Sequence, residues 1–329
     1  MAAYGDADGT RAAVRELLTT YNDLNGARVE ELDHEPSPLE FMRFVARNTP
    51  FVVRQGAASW KSHQKWTPDY LKDKLAGQRV NVAITPHGNA DAPTFSPRHD
   101  STVIAKPHEE EQAFDEFLDY VTTQELGQGS QSAEVRYAQT QNDNFRNEYI
   151  SLFADAQSDI PFARIALQKE AEAINLWIGN SCSVTCLHRD PMENIYVQVL
   201  GRKHFILLPP LCHPCVNEKM MQPATYTRTG GVLTLEADEE EEMVPLATWD
   251  PDKAEEDATE FSHLAKPVRV TLDPGDMLYL PAMWYHKVKQ SSNEEGCVVA
   301  MNYWYDMDYS GPFYPSTTFI RNLGVSDQN

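Results

Sequence analysis

Positive charge is scarce in this chain. Twenty-eight lysines and arginines stand against 49 aspartates and glutamates, leaving a net charge of −21 over 329 residues. A protein that grips a phosphate backbone needs a basic face, so nucleic acid is disfavoured as a partner. A basic protein or peptide suits the charge instead. Cysteine is scarce as well. Cys182, Cys186, Cys212, Cys215 and Cys297 are an odd, sparse set, which argues for reduced thiols rather than a disulfide framework. No apolar run reaches the ~18 residues that cross a bilayer, so no membrane partner is expected. Met1 to Asp6 offers neither a basic nor an apolar segment of a secretion signal. A cytoplasmic or nuclear location is the expectation.

What is present is ordinary globular material. Hydrophobic residues make up 41% and charged residues 23%, enough for one large domain with its own core. The acids are not spread evenly. Residues 236–260 hold twelve of them against Lys253 alone. That stretch reads as a solvated, mobile acidic loop in preference to a collar for a basic substrate. Cys212-His213-Pro214-Cys215 has zinc or redox spacing, but no second cysteine pair accompanies it, and ordinary loop thiols are the favoured reading.

Along the chain, residues 10–25 and the segment after Ser37-Pro38-Leu39-Glu40 carry helix periodicity and start signals. Further helices are expected near Trp66–Leu71 and Phe114–Val121, and a last one at Ser316–Leu323. Phe51–Arg54, Arg79–Thr85, Val135–Gln139 and Ala173–Gly179 read as strands. Residues 86–107, rich in Pro, Gly, Asn and Asp, read as a long loop. Gly127–Ser132 reads as a linker and Phe153–Ala166 as irregular. After residue 184 strands crowd together. Ile195–Val199 and Lys203–Leu208 read as a hairpin about Gly201, with more strands at Tyr226–Leu235, Val268–Leu272, Met277–Leu280, Trp284–Lys289 and Cys297–Trp304. Short strands with Gly and Pro turns argue for a mainly β, double-stranded β-helix or jelly-roll barrel of cupin type, flanked by helices. The organisation is an N-terminal helical segment (1–35), a barrel domain (36–310) with the acidic loop at 236–262, and a C-terminal tail (311–329).

His188 and Asp190 are two residues apart, so on a strand they would share a face. The turn Asp273-Pro274-Gly275-Asp276, the strand after it and Pro281 would return His286 to the interior. Together the three make a 2-His-1-carboxylate set, which leaves metal positions open for other ligands.

At this point the chain resembles the JmjC-type Fe(II)- and 2-oxoglutarate-dependent oxygenases, and within them the JmjC-only lysyl hydroxylases. The likeness runs from about residue 35 to about residue 310. It is carried by Pro38-Leu39-Glu40-Phe41, Ala83 to Ala92, Tyr137-Ala138-Gln139, Asn175 to Gly179, Gly201 to Phe205, Leu278 to His286 and Asn302 to Met307. The resemblance implies that His188, Asp190 and His286 hold Fe(II), and that 2-oxoglutarate and O2 occupy the open positions. It places Lys203, otherwise a solvent-facing turn lysine, at the distal carboxylate of 2-oxoglutarate. Tyr137 and Thr185 match the family's hydroxyl donors. Asn194 and Asn302 match side chains near the metal-proximal end, and Tyr196 shares a face with Asn194. The implied activity is C-3 hydroxylation of a lysine near the N-terminus of developmentally regulated GTP-binding proteins. Demethylation of histone or other methylated peptides, or clipping of methylarginine histone tails, is the alternative. A non-enzymatic cupin binding protein is a third reading, which would predict a broken ligand set. A homodimer is a further expectation.

Overall fold

The computed structural model describes residues 7–127 and 134–323. The expected linker therefore lies, from residue 128 onward, outside the described residues.

The N-terminal third is helical where its start signals say so. α1 (Ala7–Asn25) buries Val14 and Leu18. After the short β1 (Glu30–Leu32) comes α2 (Pro38–Arg47), which opens in a capping box: Ser37 and Glu40 satisfy each other's backbone N–H, with Pro38 in the first turn. It stops at Asn48, in left-handed backbone at φ 48°. β2 (Phe51–Val53) follows, then α3 (Lys61–Lys65), α4 (Pro68–Lys74) and β3 (Arg79–Thr85).

Residues 86–107 depart from the loop expectation. They contain a hairpin, β4 (Ala92–Ser96) and β5 (Ser101–Lys106), paired from Ala92↔Ala105 to Ser96↔Ser101. Pro93 hid it, because proline weakens a strand reading. β4 is an edge strand, where the missing N–H costs no ladder bond. β6 (His108–Ala113), α5 (Phe114–Glu125) and β7 (Val135–Tyr137) come next. The segment expected to be irregular holds α6 (Pro161–Leu167), begun by a first-turn proline.

β8 (Ala173–Gly179), β9 (Thr185–His188), β10 (Met192–Leu200) and β11 (Arg202–Leu208) build the barrel. β12 (Glu218–Met221), β13 (Pro223–Thr229), β14 (Val232–Ala237) and β15 (Val244–Ala247) decorate it. β16 (Val268–Leu272), β17 (Met277–Leu280), β18 (Tyr285–Ser291) and β19 (Val298–Asp306) complete it, and α7 (Phe313–Arg321) closes the described chain. One sheet has the order β1-β2-β17-β10-β19-β8 and the facing sheet β16-β11-β18-β9, the jelly-roll fold expected.

Within β8–β11 and within β16–β19, consecutive strands thus lie in different sheets. β10 and β11 are not a hairpin. A register shift after Gln198 and the left-handed Gly201 (φ 64°) swing the chain from one sheet to the other. A side chain at Gly201 would sit 2.8 Å from the Ser291 carbonyl oxygen, so the corner demands glycine. Nor is the acidic stretch a free loop. β15 pairs with β12, Trp249 is buried, and Asp250 and Asp252 bind Lys287 at 2.6 and 3.0 Å.

The larger sheet has two unlike faces. Ile195, Val197 and Val199, with Leu176, Ile178, Met301, Tyr303 and Tyr305, pack outward onto the aromatic side chains Phe41, Phe114, Phe117 and Phe162 of the helices. The alternate positions turn into the barrel, and there the residues are Asn194, Tyr196, Asn302 and Trp177. A face that could have been aliphatic carries amides and ring hydroxyls instead, at a desolvation cost the fold alone does not require.

Candidate metal centre and a buried lysine

β9 reaches the centre through a bulge. Thr185 lies opposite Val288 and His188 opposite His286, so three residues of β9 match two of β18. Without that extra residue Thr185 and His188 would face opposite ways; with it both turn inward. β9 ends at His188, so Asp190 does not share a strand with it as the two-residue spacing supposed. Asp190 sits in the following turn, and that turn brings its carboxylate back. Its Oδ2 lies 3.7 Å from Nε2 of His188 and 3.7 Å from Nε2 of His286. One ligand atom from each residue falls within 4.8 Å of the others, and among the described residues no other group of three His, Cys, Asp or Glu does so.

The supporting atoms fix which nitrogen is offered. His188 Nδ1 donates to the Cys186 carbonyl at 2.8 Å and His286 Nδ1 donates to the Trp284 carbonyl at 3.1 Å. Both imidazoles are therefore held with Nε2 toward Asp190, the usual way a protein orients a metal-ligating histidine. The turn before His286 is held from three sides. Met283, in left-handed backbone (φ 67°), donates its N–H to the Asp190 carbonyl at 2.8 Å. Buried Glu193 accepts from the Ala282 N–H at 3.2 Å. Asn48 donates to the Ala282 carbonyl and accepts from the Trp284 indole. The cap of α2 is thus also a support for a ligand strand.

The electrostatics suit a cation. Burial raises the Asp190 carboxyl, but His188 outweighs it and holds the group down at about 2. Burial and the neighbouring His188 push His286 down to about 4, so it is a neutral donor at neutral pH. For His188 burial acts downward, yet Asp190 prevails and raises it. A metal must displace that proton, so affinity should climb with pH.

The second feature lies further along the same interior. Lys203 sits opposite Gln290, four residues along β18 from His286, a rise of about 13 Å. It is not the solvent-facing turn residue its position beside Gly201 suggested; only 2% of it is exposed. Nζ donates to the Tyr137 hydroxyl at 2.8 Å and lies 5.4 to 5.7 Å from the ring centroids of Tyr137, Trp177 and Tyr196. Among the described residues it makes no ion pair, and burial alone pushes it down to about 7. An ammonium so enclosed lacks a counter-charge that the chain does not provide.

The remaining expected residues gather on the same interior. Thr185 faces it beside Val288, and Tyr196 lies opposite Asn302. Asn302 donates to Asn194 at 3.3 Å and accepts from the Trp177 indole at 2.9 Å. The structure thus brings His188, Asp190 and His286 together, sets Tyr137 and Tyr196 beside Lys203, and joins Asn194 to Asn302. Trp177, which the sequence places only within the strand Ala173–Gly179, forms the third wall of the lysine cage. Cys212 and Cys215, by contrast, are buried in the 3-10 turn after β11.

Comparison with known proteins bears on the family. Residues 36–311 match the cupin-like domain family. The chain is similar to lysine-specific demethylase JMJ32 of Arabidopsis thaliana, 37% identical over 311 residues, covering 91% of this chain and 87% of that one. It is similar to the bifunctional peptidase and (3S)-lysyl hydroxylase JMJD7 of Homo sapiens, 36% identical over 300 residues, 91% and 88%. JmjC domain-containing protein E of Dictyostelium discoideum is 31% identical over 325 residues, 89% and 92%.

Proposed function

The chain belongs to the JmjC-type cupin-like domain family, and on that premise we propose that it is an Fe(II)- and 2-oxoglutarate-dependent oxygenase that hydroxylates C-3 of a protein lysine. The observation that carries this reading is Lys203: a buried ammonium without an ion pair among the described residues, paired with the strand that carries His286 of an intact His-Asp-His set. A non-enzymatic cupin would need neither.

The residues fit the groups. His188, Asp190 and His286 would hold the metal, and their two neutral imidazoles and one carboxylate are the donor set of mononuclear non-haem iron. Lys203 and Tyr137 would receive the distal carboxylate of 2-oxoglutarate, with Thr185 at hand. Asn194 and Asn302 would face its other end. When bound, metal, oxo acid and O2 supply the oxidising power that converts a C–H bond to C–OH. The protein's part is orientation and dryness. The tied Nδ1 atoms keep both imidazoles aimed, Trp177, Tyr196 and Phe205 exclude water, and Lys203 fixes one end of the cosubstrate. As substrate we propose a basic segment near the N-terminus of a developmentally regulated GTP-binding protein, which the net charge of −21 favours. Cytoplasm or nucleus is the proposed location. A second reading, methyl-lysine demethylation, draws on the similarity to JMJ32.

The test is mass spectrometry of that N-terminal peptide after incubation with Fe(II), ascorbate and 2-oxoglutarate. A gain of one oxygen on an unmethylated lysine supports hydroxylation. Loss of methyl groups from a methylated peptide, with formaldehyde released and no oxygen gained on the unmethylated one, selects the second reading.

A further prediction concerns the lysine cage. A Cβ at Gly179 would lie 2.6 Å from Cδ2 of Tyr137 and 3.1 Å from Nε2 of Gln290. Gly179→Ala should displace the tyrosine that orients Lys203, at a cost of about 1–3 kcal/mol in stability. Titration with 2-oxoglutarate should show affinity about tenfold weaker while metal binding is kept.

A further inference from the structure

We propose that the cleft beside His188 seats an apolar side chain next to the target lysine, and that the acidic turn at its outer end meets basic residues of the same substrate segment. This inference rests on the lysyl reading above and names the kind of segment that reading requires.

The candidate metal centre is closed on one side and open on the other. Only 2% of Lys203 and 7% of the His286 side chain are exposed. The side chains of His188 and Asp190, in contrast, are 28% and 26% exposed. A macromolecular substrate therefore reaches the centre from the His188 and Asp190 side. There His188 forms part of the wall of a cleft of about 400 Å³. The other walls come from β15, from the turn before β18, and from α7 with the segment leading into it.

The free surfaces of this cleft are apolar. Tyr309 and Tyr314 meet edge to face with ring centroids 5.0 Å apart, and Met283 and Leu246 extend the lining. The charged side chains of the cleft are occupied with one another. Glu218 accepts from Arg189 and from Arg321, each at 3.2 Å, and from the Tyr285 hydroxyl at 3.4 Å. The space thus suits an apolar side chain better than a charged one.

The apolar lining continues outward along β15. Val244 and Met243 are 40% and 49% exposed, and Met220 of β12, itself exposed, pairs with Pro245. Exposed apolar side chains in succession mark a contact surface. Beyond Met243 the chain turns acidic. Glu239, Glu240 and Glu242 are exposed and make no ion pair among the described residues, whereas Glu241 holds Lys106 at 2.7 Å. Leu246 and Glu242 are about 13 Å apart along an extended chain. A segment lying along β15 with its lysine at the centre would set an apolar neighbour against Leu246 and Tyr309. Basic residues about four positions further on would meet the glutamates.

The experiment uses full-length protein and labelled peptides with a central lysine in a Gly-Ser background. The residue beside the lysine is Leu or Ser, and the residues four positions away are Arg or Glu. Fluorescence anisotropy with Mn(II) and 2-oxoglutarate reads binding, and mass spectrometry with Fe(II), ascorbate and 2-oxoglutarate reads oxygen gained. Wild-type protein should bind the Leu peptide about tenfold or more tightly than the Ser peptide. It should prefer Arg to Glu by about tenfold at low salt, and less at high salt. Tyr309→Ala should lose most of the leucine preference and keep the arginine one; Leu246→Ser serves if that variant fails to fold. Glu240→Lys combined with Glu242→Lys should do the reverse. All should keep wild-type affinity for Mn(II) and 2-oxoglutarate. If wild-type protein does not distinguish Leu from Ser, or both cleft variants still do, the inference is overturned. Oxygen gained equally on the lysine of the Leu and Ser peptides overturns it too, while the lysyl reading stands. If the binding preferences hold but no peptide gains oxygen, the cleft still seats the segment and the lysyl reading fails. If no peptide binds, the inference is overturned, and a dimer in sedimentation that Tyr309→Ala breaks would make a second copy of the chain the occupant.

Discussion

Asp190→Ala eliminates metal binding and turnover together while leaving a folded protein. The carboxylate is the one anionic member of the ligand set, and it stands 3.7 Å from both imidazole Nε2 atoms. Its removal leaves two neutral donors and no charge to oppose a dication. The loss should exceed the ~10–100-fold that a merely supporting residue costs a metal site. The fold should survive because the structural contribution of this residue is its backbone. The Asp190 carbonyl accepts the Met283 N–H at 2.8 Å, and alanine supplies the same carbonyl. Isothermal titration with Mn(II) and Fe(II) reads the first effect, circular dichroism the second. The pH dependence adds a second signature. In the wild type Asp190 raises His188 above the ordinary histidine range, so metal uptake should release a proton and strengthen as pH rises through that range. In Asp190→Ala the proton on His188 loses its partner, and any residual metal binding should lose most of that slope. A variant that binds metal with wild-type affinity would remove Asp190 from the ligand set.

The acid side of the same centre fixes a stability trend for the metal-free protein. His286 is depressed to about 4 against an ordinary value near 6.5. The unfolded chain therefore binds the extra proton first as pH falls, and stability drops between about 6.5 and 4. The Asp190 carboxyl, at about 2, contributes stability above the ordinary Asp range that is lost on further acidification. Bound metal should raise the upper part of this curve and steepen it, because it binds only the neutral imidazole and loses affinity as pH falls.

Most of the fold and the ligands could be read in the sequence, for a physical reason. Period-two alternation in β3 and β16, the near-continuous apolar run of β19, and the Pro and Gly turns between strands are local signals. His188, Asp190 and His286 are types whose chemistry is narrow. Three things were not legible, and each depends on what lies across space. Ile195–Val199 and Lys203–Leu208 look like a hairpin until Gly201 is seen to fit only against the Ser291 carbonyl. The inward aim of His188 comes from a bulge that no spacing rule encodes. Asp250 and Asp252 look like part of a solvated charge run, yet they meet Lys287, which projects from the strand that carries His286. Local pattern reports which face a residue prefers. It does not report who already holds its partner.

Lys203→Met makes the protein more stable and nearly useless to its cosubstrate. The ammonium is buried among three rings with a single hydroxyl partner, and burial alone brings it down to about 7. The ordinary lysine value is near 10.4. Because the folded value is the lower one, the unfolded chain holds the extra proton between about pH 7 and 10.5, and wild-type stability rises with pH across that window. Methionine fills the same volume without a charge. Its gain in melting temperature should be largest at and below pH 7 and should vanish toward pH 10.5. Binding moves the opposite way. Truncating one partner of a buried charge pair costs about 2–5 kcal/mol, so 2-oxoglutarate affinity should fall by about a hundredfold or more. The wild type carries a further mark. A free protein whose Lys203 is half neutral at pH 7 must take up a proton to bind a dianion. Affinity should therefore weaken by about tenfold per pH unit above 7, and calorimetry in buffers of different ionisation enthalpy should register the proton taken up. Lys203→Met should show neither the slope nor the uptake, and Lys203→Arg should bind with no slope below pH 10, since a guanidinium does not titrate there. If wild-type affinity proves flat from pH 6.5 to 9, Lys203 is already paired in the free protein, and the unpartnered cation that carries the cosubstrate reading is lost.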